Sequence, residues 1–455
     1  MSEHEFATHE WWSGYKERVN ADEEMTARGH QYFDENFYIG VDDEKFLIEV
    51  RDGRIEEIVP NPGPNHTWAF GVEGSRDTWE KFIQDVPPAF KNELIASDYR
   101  AKVRGEDGHL EWTGDNKKIF QNLRPFQRML DLMRDNPDGG SSFELEEPSH
   151  GEFEDITGRY VGVEIEGVTY RVYYEEAGPE DGIPLMCQHT AGNHGHEWRH
   201  VLTDEEITED FRVIAYDLPF HGKSVPPTSQ QWWTEDYMLT EDRFAEIIVS
   251  IADALELEDP IYMGSSIGGN IALQLGDWHP ERFRALIALE CGTYSPGYFL
   301  EWFHHPHVNV SEVSAYACWG LMAPQGPEAS RRETMHLYEQ GSNGLFRGDL
   351  YFYSVDHDYR DKLDQVDPEC PMYIMNGEYD FATDPDDARE VAEGVAGDAM
   401  AIEMAEIGHF PMSENPLLFN QYLKRVLGDI MGEDVDLPET LTPEEVGVEL
   451  TVTES

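Results

Sequence analysis

The stretch Ile261-Tyr262-Met263-Gly264-Ser265-Ser266-Ile267-Gly268 constrains this chain more than any other. Three apolar residues predict a short buried strand, and the small-residue run from Gly269 to Gly276 predicts a helix opening directly behind it. A G-x-S-x-G pentapeptide at such a junction predicts a tight strand-to-helix turn that holds a serine hydroxyl out at the top of a parallel sheet. The flanking glycines are needed because a Cβ would clash where the backbone doubles back. Only Ser266 fits the frame, since centring on Ser265 would require glycine where Met263 stands.

A serine hydroxyl becomes a useful nucleophile when a histidine takes its proton and a carboxylate orients that histidine. In a strand-turn-helix setting the chain order is serine, acid, histidine. Pro371 to Asn376 predicts another buried strand, followed by the turn Gly377-Glu378-Tyr379-Asp380. Ala399 to Met404 predicts the next strand, followed by the loop Gly408-His409-Phe410-Pro411-Met412 and a helix over Pro416 to Met431. Asp380 and His409 are the candidate partners of Ser266. Glu290, ending the strand Ala285–Leu289, is an alternative acid; Asp384 and Glu378 are lesser contenders. Two N–H groups must also face the developing oxyanion. Ile267 supplies one, and the loop His189-Thr190-Ala191-Gly192 after the strand Leu185–Gln188 supplies the other, through Ala191 in preference to Thr190.

Residues from about Tyr160 to Leu427 resemble an α/β-hydrolase-fold serine hydrolase, in the broad group of esterases, thioesterases and carbon–carbon bond hydrolases. The resemblance rests on Gln188 to Gly192, Tyr216-Asp217-Leu218-Pro219-Phe220-His221-Gly222-Lys223-Ser224, Gly264 to Gly269, Gly377 to Asp380, and Gly408 to Pro416. It implies an α/β fold with a helical cap, and the nucleophile Ser266 departs from relatives that carry aspartate there. It implies little about substrate, because one fold hosts many chemistries.

Charge is the second constraint. Asp and Glu number 92 against 33 Lys and Arg, a formal net charge of −59. Aromatic residues at 12% and hydrophobic residues at 40% still suffice for packed cores, so the acid does not imply disorder. Spread along the chain, it repels itself in dilute buffer and is screened in roughly 1 M salt, where the Debye length falls to about 3 Å. The expectation is a halophilic, cytoplasmic protein with no nucleic-acid partner and no membrane span. No signal peptide is evident at Met1 to Glu5. Cys187, Cys291, Cys318 and Cys370 sit singly, without metal-ligand or disulfide spacing.

Length predicts more than one domain. Turn residues from Asp135 and an acidic, proline-containing stretch place a linker at 135–157. Before it, residues 1–134 predict an α+β domain: a hairpin from Phe46–Gly53 and Arg54–Val59, a strand at Thr67–Val72, and a helix N-capped by Asp77. A strand near Trp112 and a helix over Lys117 to Met133 complete it. Through Thr67–Ile83 and Trp112–Asp115 this region is loosely similar to a sterol-carrier-protein-2-type lipid-binding domain. Residues 158–432 would form the hydrolase domain, with a cap at about 292–363, and 433–455 an acidic tail.

Trp302, Phe303, Tyr316, Trp319, Met322, Phe346, Phe352 and Tyr353 crowd the cap segment and predict an apolar pocket above Ser266. His189, Arg199, Trp302 and Trp319 are the candidate substrate contacts. The histidines of His194 to His200 raise a metal alternative, but nothing elsewhere completes a ligand set, so neither metal nor cofactor is expected. The expected activity is cleavage of a carboxylic ester or thioester of an apolar or aromatic, even lipid-like, acyl group. Alternatives are a carbon–carbon bond hydrolase of ring-cleavage type, for which Arg199 could receive a substrate carboxylate, and a non-catalytic lipid carrier. A homodimer is left open.

Overall fold

The computed structural model describes residues 5–139, 154–341 and 344–448. Most of the expected linker and the last residues of the expected acidic tail lie outside these. The chain divides into two compact units: among described residues, 5–139 and 305–320 form one, and the remainder forms the other. No helix among the described residues is long and apolar enough to cross a membrane.

The first unit is an α+β structure on a five-stranded sheet, ordered β3-β2-β1-β4-β5. Its strands are β1 (Asn36–Val41), β2 (Glu44–Arg51), β3 (Arg54–Pro60), β4 (Phe70–Gly74) and β5 (Glu111–Gly114). The β2–β3 hairpin forms where the sequence predicts it. Asp52 and Gly53 both adopt positive φ, 51° and 72°, as the tightest hairpin turn demands. β1, which the sequence reading did not include, is buried from Phe37 to Val41. Two further expectations are corrected. Ser75, not Asp77, caps the helix Arg76–Phe82, accepting from Thr78 N–H. The expected long final helix is two, Asn116–Gln121 and Leu123–Asp131, broken at Asn122 with φ −121°.

A helix from far along the chain, Val310–Trp319, also belongs to this unit. Arg124 Nε donates to Tyr316 OH at 2.9 Å and Nη1 to Glu312 at 3.1 Å, while Gln121 Nε2 donates to the His307 carbonyl at 2.9 Å. Tyr316 and Trp319, expected to face a pocket beneath a cap, therefore belong to the α+β unit.

The second unit is built on a nine-stranded sheet, ordered β14-β13-β12-β11-β10-β8-β9-β7-β6. The strands are β6 (Thr157–Ile165), β7 (Val168–Ala177), β8 (Ile183–Gln188), β9 (Phe211–Tyr216), β10 (Ile261–Ser265) and β11 (Ala285–Leu289). β12 (Met372–Gly377), β13 (Ala399–Met404) and β14 (Thr440–Leu441) follow. β6 and β7 are an antiparallel edge; every pairing from β9 to β14 through β8 is parallel. Helices Glu241–Ala254, Ile267–Trp278, Pro385–Gly394 and Pro416–Ile430 join or follow its parallel strands. Strands covered on both faces need apolar residues at every position, and β10 and β11 are buried at each one. Within the stretch expected as tail, Leu441 is buried and pairs with Met404.

Register decides where chemistry can collect. Gly264 pairs with both Gln188 and Ala288, Ser265 with Leu289, and Leu289 with Met375. The loops after β8, β10, β11 and β12 therefore leave the sheet at one edge, the carboxyl end where open α/β sheets place their ligands.

Candidate active site

At the end of β10 the chain turns sharply into the helix Ile267–Trp278, with Ser266 at the turn. Ser266 has φ 60° and ψ −112°, a conformation held only where its surroundings determine it. Its N–H donates to the Leu289 carbonyl at 3.0 Å, and its carbonyl accepts from Asn270 N–H at 2.8 Å. The turn tolerates no side chain on its neighbours: a Cβ at Gly264 would meet the Gly268 carbonyl oxygen at 2.5 Å, and one at Gly269 would meet that of Leu289 at 2.0 Å.

The loop after β13 returns to this turn. Ser265 Oγ donates to the His409 carbonyl at 3.5 Å, a long contact that joins the two loops. His409 Nδ1 lies 2.7 Å from Asp380 Oδ2. Asp380 is fully buried and accepts further bonds from Ala382 N–H and Thr383 Oγ1, each at 2.8 Å. Burial alone would raise its pKa; the neighbouring His409 and hydrogen bonds from His409, Glu290 and Thr383 bring it below the usual carboxylate value. A carboxylate on Nδ1 fixes the imidazole tautomer and leaves Nε2 as its basic nitrogen.

Glu290, the rival acid, stands in the same cluster. Its backbone φ is 51°, and its two carboxylate oxygens receive Gly377 N–H at 3.1 and 2.9 Å. Burial, then the negative charge of Asp380 and a hydrogen bond to it, pushes its pKa well above the ordinary value. Ligand atoms of Glu290, Asp380 and His409 fall within 4.8 Å of one another. Hydrogen bonds link the three in a row, His409 to Asp380 and Asp380 to Glu290.

The loop after β8 is fastened from beneath by a glutamate that the sequence reading passed over. Glu197 accepts from Thr190 N–H at 2.7 Å, Thr190 Oγ1 at 2.9 Å and Asn193 Nδ2 at 2.6 Å. Gly192 N–H donates to Asp349 at 2.7 Å. With Thr190 and Gly192 engaged, the Ala191 amide between them makes no hydrogen bond among the described residues. A second missed glutamate, Glu414, accepts from Gly408 N–H at 2.5 Å, Phe410 N–H at 3.2 Å and Ala323 N–H at 3.1 Å, clamping the residues either side of His409. Burial raises Glu197 to about 8 and Glu414 to about 7. Each is an acidic residue a few positions past a loop glycine, a spacing too common to be a signal by itself.

The remaining sequence candidates are distributed differently. His189 is fully buried with both ring nitrogens on main chain: Nδ1 donates to the Thr190 carbonyl at 2.8 Å, and Nε2 accepts from Leu218 N–H at 3.1 Å. It shapes the loop and has no nitrogen left for a substrate. Arg199 pairs with Glu333 at 3.2 Å and Glu154 at 3.5 Å. It lines, with His194, His196 and Lys223, a cleft of about 530 Å³. His200 turns to Glu333 at 3.1 Å, while the ring centroids of His194 and His196 lie 6.1 Å apart. Trp302 is half-buried on a single turn, Glu301–His304.

A family model described as the alpha/beta hydrolase fold matches residues 183–316, and a thermophilic esterase from Thermogutta terrifontis superposes with TM-score 0.50 at 16% identity, over 60% of this chain and 99% of that one. The fold is the α/β-hydrolase fold. Among curated relatives of this α/β-hydrolase unit, a 2-hydroxymuconate semialdehyde hydrolase of Pseudomonas sp. (strain CF600) is 34% identical over 130 residues, 28% of this chain and 43% of its own. The strigolactone esterase D14 of Arabidopsis thaliana is 23% identical over 258 residues, 53% of this chain and 91% of its own. The chain spans about half the length of the curated relatives it matches first.

Proposed function

We propose that the α/β-hydrolase unit is a serine hydrolase that cleaves a carboxylic ester or thioester of an apolar or aromatic acyl group. The observation that carries the reading is the buried His409–Asp380 pair at 2.7 Å on a loop bonded to the strained Ser266 turn. In the proposed mechanism Ser266 Oγ attacks the carbonyl carbon while His409 Nε2 takes its proton. The Ile267 and Ala191 amides receive the oxyanion. His409 then returns the proton to the leaving alkoxide or thiolate, and a water activated by the same imidazole releases the acyl group.

A second reading, carbon–carbon bond hydrolysis, has specific support in the name of the 34%-identical relative, 2-hydroxymuconate semialdehyde hydrolase. The deciding experiment is a panel of p-nitrophenyl esters, acyl thioesters and vinylogous diketones assayed with the wild-type chain and Ser266→Ala in high salt. The proposal expects ester or thioester turnover that Ser266→Ala abolishes without change in melting temperature. Turnover surviving in that variant would falsify the nucleophile, and activity confined to the diketones would shift the reaction class to the second reading.

A further inference from the structure

Arginines outside any ion pair are unexpected in a chain where carboxylates outnumber cationic side chains by 92 to 33. Two of them line one cavity. Among the described residues neither Arg243 nor Arg347 forms an ion pair. Arg347 lies against the Phe299 ring, 3.8 Å from guanidinium carbon to centroid, and its buried Nε has no hydrogen-bond partner. Among the described residues Arg243 donates to one acceptor, the neutral Tyr170 OH, at 2.8 Å. Glu235 and Asp236 line the same cavity, yet neither comes within 4 Å of these guanidinium groups.

The cavity measures about 480 Å³, within the range of sites for small organic ligands. Its other walls are aromatic. Phe220 packs edge-on to Trp232 at 6.2 Å and tilted against Tyr237 at 5.6 Å, and Trp232 packs edge-on to Trp233 at 5.7 Å. Trp232 and Trp233 are 46% and 65% exposed, an apolar area that a folded chain gains by covering. Phe220 is held at φ 75°, so its ring is presented at the expense of local backbone strain. None of Ser266, Asp380 and His409 lines this cavity.

We propose that this cavity binds a small carboxylate with an aromatic body, its anionic group taken by Arg347 and Arg243 and its ring by Trp232 and Trp233. Arginine offers a fork of donors matched to a carboxylate, and cation–aromatic and ring-stacking contacts hold a planar body beside it. In a protein this acidic, general electrostatics repel anions, so binding must come from these local groups.

The test is calorimetric titration of the Ser266→Ala chain with 2-naphthoate and with 2-naphthalenemethanol, in one potassium chloride buffer. Using that variant separates this proposal from the one about catalysis, because no turnover is needed. The expected result is single-site binding of 2-naphthoate at least tenfold tighter than the alcohol. Arg347→Gln should erase that preference while leaving the alcohol's affinity within threefold, and Trp233→Ala should weaken both ligands. Should Arg347→Gln melt early, Arg243→Gln provides the same comparison. Equal affinity for acid and alcohol in the parent, an unchanged preference in both arginine variants, or no binding of either ligand would overturn the assignment.

Discussion

Asp380 joins two buried partners: His409 Nδ1 at 2.7 Å from its Oδ2 and the carboxyl of Glu290, hydrogen-bonded to it. Two carboxyl groups this close cannot both ionise. Burial works against the anion at both, but His409 and its hydrogen bonds bring Asp380 below the ordinary value, while burial and the Asp380 charge push Glu290 above it. Asp380→Asn should therefore lower kcat for a p-nitrophenyl ester by about 10³–10⁴-fold. Glu290→Gln, whose amide can still donate to Asp380 and accept from Gly377 N–H, should lose less than tenfold. Steady-state kinetics on both variants checks this, and the opposite ranking would transfer the acid's role to Glu290.

Glu197 and Glu414 set a pH dependence of stability. Their folded pKa values, about 8 and about 7, lie above the ordinary 4.5. A raised carboxyl pKa means that the folded state holds the proton more tightly than the unfolded chain does. The resulting stability is complete below about pH 4.5 and is lost as pH rises through 7 and 8, by roughly 3 kcal/mol for Glu414. Melting temperatures between pH 5 and 8.5 should fall with pH, and the fall should be shallower in Glu414→Gln. A Glu414→Gln curve parallel to wild type would remove that residue from the explanation.

Asp349 carries three bonds in the interior: His221 Nε2 at 2.9 Å, Tyr237 OH at 3.0 Å and Gly192 N–H at 2.7 Å. Burial opposes a charged His221, but the Asp349 carboxylate outweighs it and raises the pKa. Breaking one side of a buried pair leaves an uncompensated charge, so Asp349→Ala should destabilise by about 3–5 kcal/mol. The double change Asp349→Ala with His221→Phe should recover part of that loss, as measured by chemical denaturation. Additive losses in the double variant would mean that the two groups do not interact.

The −59 charge predicts a salt requirement. Moving from about 0.05 M to 2 M potassium chloride should raise the melting temperature by ten degrees or more, as screening shortens the Debye length. A flat response would mean that self-repulsion contributes little to the folding equilibrium, and the halophilic reading would fall with it.

Much of the second unit was legible from local patterns. Apolar runs ending in glycine turns marked β8, β10, β11 and β12, because strands buried on both faces must be apolar at every position. Ser266 was legible because Gly264 and Gly268 frame it as G-x-S-x-G, and a Cβ at Gly264 would indeed meet the Gly268 carbonyl oxygen at 2.5 Å. In the first unit β1 and the split of the final helix were not, since their contexts come from strands and helices distant in the chain. The helix Val310–Trp319 is the sharpest case. Its aromatic content reads equally as a cap and as a partner for Arg124, and only packing distinguishes the two.

The local chain determined that serine, aspartate and histidine would stand on loops at strand ends, since strand and turn propensities act over a few residues. Which acid would have its pKa lowered and which raised, which amide of the His189–Gly192 loop would make no hydrogen bond among the described residues, and which arginines would form no ion pair among them were decided by the tertiary structure. Those outcomes depend on burial and on distances of a few ångströms between groups up to 157 residues apart. Electrostatic free energies change steeply over that range when water is excluded, and no pattern along the chain encodes them.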